Sequence, residues 1–528
     1  MSAKRDVPSL WRPLRTPIFR QLLIADTLSD IGTFMQSVGA AWLMVSLGAG
    51  PLYIALTQTA ATLPFFLFAL PAGSIGDIVD RRKLILFTET WMVCVAVALA
   101  VATLTGVITP WLLLGLTFAL SAGDAFETPT WRAVLPELVH RDDLPAASAL
   151  NGIEFNIARA TGPALAGVLI AAAGVGAAFL VNVLSFAGVL VVVARWKRPV
   201  RARTTPAESL RGATVAAIRY VRYAPATRAI MLRSGAVMFC ASASFALLPS
   251  VAHRISTSAA VYGILLGCFG AGAVAGAIVM QRARARWSTE GIASTAVAIL
   301  GVTIVAVGRV HNLPGLTLVM LLSGGTWIIF ISLVSALMQN LAPDWVRARV
   351  LAIFMLVSQG GLAAGSAVWG AVASRTSVDT AFLLAGVATM ATAALGLVAR
   401  LPDTTADVSP WNHWRLPAIV ENREPGLDQG PVLVSAEYQV DERNVKAFLQ
   451  TMKKYGRVRR RDGAFRWAIY RDVEKPHVYV ETFLVSSWAE HLRQHERLTR
   501  GDSELEQRVS SLGGEPIVRH LIQAAFEG

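Results

Sequence analysis

Twelve apolar runs, each long enough to cross about 30 Å of hydrocarbon as a helix, leave this chain few alternatives for its fold. They lie near 19–46, 52–72, 84–107, 110–128, 147–172, 175–195, 229–251, 260–281, 291–309, 313–340, 349–372 and 378–400. Inside lipid only helices and closed barrels satisfy their own backbone hydrogen bonds, and runs of this length are helical. Composition agrees, with 54% hydrophobic residues and 16% charged, below the roughly 25% charged of soluble domains. A formal charge of +13 invites a nucleic-acid reading. The cations, however, sit in alternate loops: Arg81, Arg82 and Lys83; Arg132 and Arg141; Arg282, Arg284 and Arg286; Arg347 and Arg349. The intervening loops at 48–51, 106–110 and 173–176 carry none. That is the positive-inside pattern, so the charge needs no polyanion and no nucleic-acid partner is expected. Both termini are expected in the cytoplasm, with no cleavable leader in the basic first 20 residues. Cys94, Cys240 and Cys268 all fall in apolar runs and read as small core residues.

The loop after the second run reads Gly73-Ser74-Ile75-Gly76-Asp77-Ile78-Val79-Asp80-Arg81-Arg82-Lys83. It is expected to be a cytoplasmic turn in which glycines allow close approach and the basic cluster resists translocation. The stretch resembles the signature between the second and third helices of the major facilitator superfamily. Gly73, Asp77, Arg81 and Arg82 match it, while Ile78 stands for the usual Arg and Asp80 for the second Gly. Asp-Arg-Arg resembles the ending found in the enterobactin-exporter-like efflux branch, the transmembrane secretion effector type. The likeness continues in Asp30-Ile31-Gly32, Pro64-Phe65, Leu144-Pro145-Ala146-Ala147, Ala158-Arg159-Ala160-Thr161-Gly162-Pro163, Pro343-Asp344-Trp345-Val346-Arg347 and Gln359-Gly360-Gly361. The resemblance implies an all-α polytopic fold of two six-helix halves, a bacterial-type inner membrane and an inner-gate role for Gly73, Gly76, Asp77, Arg81 and Arg82.

The organisation expected is a six-helix half over 1–195, a basic cytoplasmic loop over 196–228, a second six-helix half over 229–400, a linker over 401–430 and a cytoplasmic domain over 431–528. Within the basic loop, apolar and basic positions at helical spacing between Glu208 and Arg222 read either as an amphipathic helix on the inner membrane face or as a solvated connector. After 431 the pattern turns soluble. Strands are expected at 432–440, 464–471, 477–484 and 516–522, with helices at 441–455 and 486–512, the ferredoxin-like α+β order. Arg461-Asp462-Gly463-Ala464, Glu481-Thr482-Phe483 and Ser487 to His495 resemble the C-terminal extension of the same efflux family, and the domain also resembles dimeric α/β-barrel monooxygenases. Self-association through it is therefore an expectation. His491 and His495 stand one helical turn apart, a spacing that binds metal, but no third ligand of matching spacing stands out, so no metal and no cofactor is expected.

No Gly-rich loop ends in Gly-Lys-Ser/Thr, so energy for transport must come from an ion gradient. Ionisable residues inside spans are costly and mark function. Asp26 and Asp30 share one face of the first span; Glu89 lies in the third; Asp124 and Glu127 lie at the inner end of the fourth; Glu154 and Arg159 lie in the fifth. Asp30, Glu154, Arg159, Asp26 and Asp124 are the proton-coupling candidates, with Asp30 first for depth and Glu154 second for its neighbour Arg159. The Glu154–Arg159 pair reads equally as packing. Asp26, Glu89 and Glu127, close to the inner interface, also read as gate or solvated residues, and Glu290, Asp344 and Asp379 sit at span ends. Gly162, Pro163 and Gly167 resemble the Gly-Pro motif of the superfamily's antiporters, and Pro163 removes a backbone donor where a bend would form. In the second half, Gly272 and Gly276 give a small-residue face, and Trp327, Gln339 and Gln359 are cavity candidates.

The reading is a secondary transporter that exports a siderophore, drug or other small organic compound in exchange for protons, its partners being the bilayer, the solute and protons. A proton-linked importer, or a membrane-anchored enzyme or sensor acting through the C-terminal domain, are the alternatives.

Overall fold

The computed structural model describes residues 10–196, 210–403, 407–409, 411 and 426–524. Its first six long helices are α1 (Pro17–Ser46), α2 (Pro51–Ile78), α3 (Arg81–Leu104), α4 (Pro110–Leu138), α5 (Leu144–Ala173) and α6 (Val175–Arg195). After α7 (Leu210–Tyr223), the seventh span is broken into α8 (Pro225–Ala241), α9 (Ala243–Ala246) and α10 (Leu248–Ile255). Then follow α11 (Ala259–Arg284), α12 (Thr289–Arg309), α13 (Leu313–Leu341), α14 (Arg347–Arg375) and a last span of α15 (Val378–Thr392) and α16 (Leu395–Val398). Ten of these spans are long and apolar enough to cross a membrane by composition alone. The other two, α1 and α4, are as long but carry Asp26, Asp30, Asp124 and Glu127.

Local sequence sets the boundaries. Pro stands in the first turn of α1, α2, α4 and α5, where its missing N–H has no helical partner to lose. Asp80, Thr109, Ser288 and Ser377 cap α3, α4, α12 and α15 with side-chain oxygens. Gly48, Gly106 and Gly174 take positive φ of 69°, 73° and 80° in the turns at one end of the first half. The expected turn at 73–83 is shorter than the sequence indicated. Helix α2 runs through Gly73, Gly76 and Asp77 to Ile78, and Asp80 already caps α3, so only Val79 and Asp80 lie outside helices.

By compactness the chain falls into two units. The first comprises 1–205, 232–333 and 355–398. In it the helices of the two halves meet at the end that carries Gly48 and Gly174. The Leu52 N–H donates to Ser374 Oγ at 3.0 Å, and Thr59 Oγ1 donates to the Ala363 carbonyl at 3.0 Å. Trp42 lies against Tyr262 and His253, with ring centroids 6.3 and 5.7 Å apart. A Cβ on Gly167 of α5 would stand 2.8 Å from the Gly263 Cα of α11, so the two backbones touch. Gly272 and Gly276 serve the same purpose on the other side of α11, where any Cβ would overlap the backbone of α13 at Leu321 and Gly325.

The second unit comprises 206–231, 334–354 and 399–528. Its sheet joins β1 (Val432–Gln439), β2 (Phe465–Arg471), β3 (Val478–Val485) and β4 (Ile517–Ile522) in the order β2-β3-β1-β4, with β3 and β4 antiparallel to β1. One face carries Ala436 and Tyr438 into a core with Phe448 and Met452 of α17 (Val445–Asp462), and Val432 and Val434 into one with Phe483 and Trp488. The other face leaves Phe465, Tyr470, Ile517 and Leu521 exposed. The single helix expected over 486–512 is two, α18 (Trp488–Arg497) and α19 (Arg500–Gly513). Leu498 is extended and Thr499 starts a new helix with a capping box to Asp502, which is why the helical pattern breaks there.

Helix α7 also belongs to this unit, and its apolar face is covered by protein. Ala216, Ala217 and Tyr220 are buried, the Tyr220 hydroxyl donates to the Leu341 carbonyl at 2.8 Å, and Arg219 pairs with Glu490 at 2.9 Å. Arg461 lies over the Tyr220 ring and Arg497 over Trp345, 5.7 and 4.7 Å from the centroids. Val215 and Ile218 remain exposed on the opposite side. Of the basic loop that holds α7, 197–209 lie outside the described residues.

Candidate functional site

Charged side chains inside hydrocarbon must find each other or a polar partner, and in the first six helices they find each other. Asp26 and Asp30, one turn apart on α1, are half-buried. Asp26 Oδ2 accepts from the Trp131 indole N–H at 2.9 Å and borders a small cleft shared with Phe19 and Asn151. Asp30 lies beside the Glu154 carboxyl of α5 and within electrostatic reach of Asp124 on α4. Glu89 of α3 is only 2% exposed and faces Glu127 of α4, whose Oε2 accepts from Thr88 Oγ1 at 2.8 Å. Asp124 accepts from Thr128 Oγ1 at 3.0 Å and feels Arg132. Six carboxyl groups from four helices therefore converge, held mostly by neutral donors.

This corrects two sequence expectations. Asp26, Glu89 and Glu127 are members of the cluster rather than solvated residues. Glu154, 6% exposed, turns to Asp30 and not to Arg159. Five residues along a helix place two side chains about 140° apart around its axis, and among the described residues Arg159 forms no ion pair. Its guanidinium is half-buried on another face of α5.

The same helix shows what Gly162, Pro163 and Gly167 provide. A Cβ on Gly162 would meet the Phe34 Cβ at 2.6 Å, so α1, which carries Asp30, packs directly on α5. Gly167 faces α11, and Pro163 presents its carbonyl to Gly263. One residue motif thus brings two of the cluster's four helices together and joins the first half to the second. Buried Asn182 of α6 donates to Gln36 of α1 further along.

Arg81 and Arg82 act within the first half. Arg81 bonds the Ala133 carbonyl and Glu137, each at 2.8 Å, and Arg82 bonds the Val193 and Ala194 carbonyls at 3.1 and 2.6 Å. The start of α3 is tied to the last turns of α4 and α6. The surroundings of Gly73, Gly76 and Asp77 lie outside the described residues.

The second half offers no comparable cluster among the described residues. Its acids are matched at span ends, with Glu290 held by Arg233 at 2.6 Å and Asp379 by Arg254 at 2.6 Å. Arg233, 1% exposed, is a charge inside an apolar run that the sequence reading passed over. Of the cavity candidates, Trp327 is 6% exposed and packs edge-on to Phe245 at 4.9 Å, so it fills the core of its own half. Gln339 is exposed near the end of α13, and its carbonyl accepts from Arg347 at 3.1 Å. Gln359 is half-buried.

A family model described as transmembrane secretion effector matches residues 8–527. The staphyloferrin A transporter of Staphylococcus aureus is 23% identical over 369 residues, 68% of this chain and 90% of that protein. The multidrug efflux pump Tap of Mycolicibacterium fortuitum is 23% identical over 381 residues, 69% of this chain and 90% of that protein. Among solved structures, a bacterial homologue of the human lysosomal transporter Spinster, inward-facing and unoccupied, aligns with a TM-score of 0.57 at 13% identity. It covers 74% of this chain and 96% of its own. An inward-facing bacterial homologue of ferroportin aligns with a TM-score of 0.55 at 15% identity, covering 72% of this chain and 98% of its own.

Proposed function

The chain belongs to the transmembrane secretion effector family of major facilitator transporters, and from that premise we propose that it exports a small organic compound, a siderophore or a lipophilic drug, in exchange for protons. The observation that carries this reading is the group of six carboxyls within the first six helices, faced by hydroxyl and indole donors rather than by matching cations. A carboxyl without a fixed cation exchanges protons as its surroundings change from wet to dry. Asp30 and Glu154 bridge α1 and α5, and α5 is also the helix that touches α11. A shift of one half against the other therefore changes what these two acids face.

The Gly162-Pro163 element supports export, and the names of the related staphyloferrin A transporter and multidrug pump support the substrate class. With the basic turns on the cytoplasmic side, the contacts of Leu52, Thr59, Trp42 and Gly167 close the outer end. Self-association through the open face of the C-terminal sheet belongs to the same reading, since that face exposes Phe465, Tyr470, Ile517 and Leu521.

The test is substrate-dependent proton movement in proteoliposomes under an imposed pH gradient, with siderophores and lipophilic cations as candidates. Export by antiport predicts that substrate and protons cross in opposite directions and that Asp30→Asn uncouples them. Movement in the same direction would assign the importer. Substrate flux with no proton movement would remove protons from the scheme.

A further inference from the structure

The C-terminal domain contains a second gathering of titratable groups, and the transport reading makes no use of it. His491 and His495 project from consecutive turns of α18, and His520 joins them from β4, on the sheet face that also carries Val434 and Phe483. One ring nitrogen from each of the three lies within 4.8 Å of the others, and Nε2 of His491 and His495 are 3.1 Å apart. Ring centroids are 4.6 Å apart for His491 and His495, and 4.8 Å apart for His491 and His520.

We propose that His491, His495 and His520 bind one divalent first-row transition metal ion, with three imidazole ligands and a fourth position open. Zinc–nitrogen bonds of about 2.0–2.1 Å in a tetrahedral site set ligand nitrogens about 3.3 Å apart. The His491–His495 pair, at 3.1 Å, is already near that separation, and His520 stands within 4.8 Å of both. A hydrogen bond between two neutral imidazoles would account for the 3.1 Å pair alone. It would leave His520 unexplained, because its Nε2 is buried without a hydrogen-bond partner beside the fully buried His491. Leaving such atoms bare costs about 1–3 kcal/mol each. Gln494 lies beside His491, and its Oε1 is likewise buried without a partner, placed to accept from whichever imidazole N–H does not face the ion.

The local charge permits a cation. Arg459 is close to both helical histidines, but Glu481 stands 3.5 Å from its guanidinium, which also lies over the Tyr455 and Phe483 rings. Three nitrogen donors with no carboxylate select zinc, cobalt, nickel or copper over magnesium or calcium. The sequence expectation of no metal rested on the want of a third ligand. His520, far along the chain and on a strand, supplies it.

The experiment uses the full chain in detergent, carrying a tag free of histidine and stripped with a chelator. Co2+ is titrated by visible absorption and Zn2+ by calorimetry, with Mg2+ as control. One ion per chain is expected, with the intense visible bands of four- or five-coordinate Co2+. His520→Ala should weaken Zn2+ by at least about tenfold, the lower range for lost support at metal sites, and Zn2+ should raise the unfolding midpoint of wild type but not of the variant. His520→Gln serves as the second variant where the alanine protein unfolds without metal. Wild type that takes up no Co2+, or variants that bind as tightly as wild type, would overturn the proposal.

Discussion

Acidic side chains are gathered in two places in this protein, and the company they keep is opposite. In the first six helices, Asp26, Asp30, Glu89, Asp124, Glu127 and Glu154 face one another and neutral donors, with Arg132 near Asp124. In the C-terminal domain every member of the equivalent group has an arginine. Asp462 and Asp502 share Arg461, each at 2.7 Å; Glu490 holds Arg497 at 2.6 Å and Arg219 at 2.9 Å; Glu481 lies beside Arg459. A buried acid matched by a cation keeps its charge and fixes geometry, because breaking the match strands a charge. A buried acid without a match must change its protonation state or its neighbours. The matched arrangement suits a joint and the unmatched one suits a cycle.

Four experiments break or sharpen that contrast. The largest effect is expected at Asp30, where Asp30→Asn should lower substrate-driven proton flux by about a hundredfold or more, the range for a lost proton-transfer group, while the protein still folds and reaches the membrane. Coupling that survives this change would make the membrane acids structural and erase the distinction. Next, Arg461→Leu strands Asp462 and Asp502 and should cost the C-terminal domain about 3–5 kcal/mol, read by pulse proteolysis of 431–528. Resistance equal to wild type would mean that the matched group holds nothing together.

A smaller effect concerns pH. Burial alone would raise the Asp502 carboxyl, but Arg461 and the Thr499 hydrogen bonds outweigh it and hold it below its ordinary value. A depressed folded pKa stabilises above the unfolded value of about 3.9, and that contribution fades as pH falls through the folded value. Domain stability should therefore drop below about pH 4, and Asp502→Asn should flatten the drop; an unchanged slope would assign it to other groups. The smallest change is expected from Glu89→Gln, which removes a carboxyl facing Glu127. Its stability, followed by thermal unfolding, should stay within about 0.5 kcal/mol of wild type or rise. A marked loss would show that Glu89 is held by partners as firmly as Asp502 is.

Much of the fold was legible because its signals are local. An apolar run of span length has one structural outcome in lipid, and the strand, helix and turn patterns after 431 are equally local. The β2-β3-β1-β4 order follows once those elements are placed in a split βαβ arrangement. Less was legible where neighbours decide. Glu154 was assigned to Arg159 because the two are close in sequence, whereas helix geometry turns them apart and packing at Gly162 brings Asp30 to Glu154 instead. Trp327 has the composition of a cavity residue, and only its contact with Phe245 shows it to be core.

The sequence by itself determined that the chain crosses the membrane, which apolar runs form its spans, which loops carry the positive charge, and that an α+β domain follows. Each is set by hydrophobicity, caps and period within a window of some twenty residues. Tertiary structure alone decided that six carboxyls from α1, α3, α4 and α5 form one group, that α7 lays its apolar face on protein, and that His520 stands beside His491 and His495. These are encounters between residues far apart in the chain, and a contact made by packing leaves no periodic trace in the sequence that makes it.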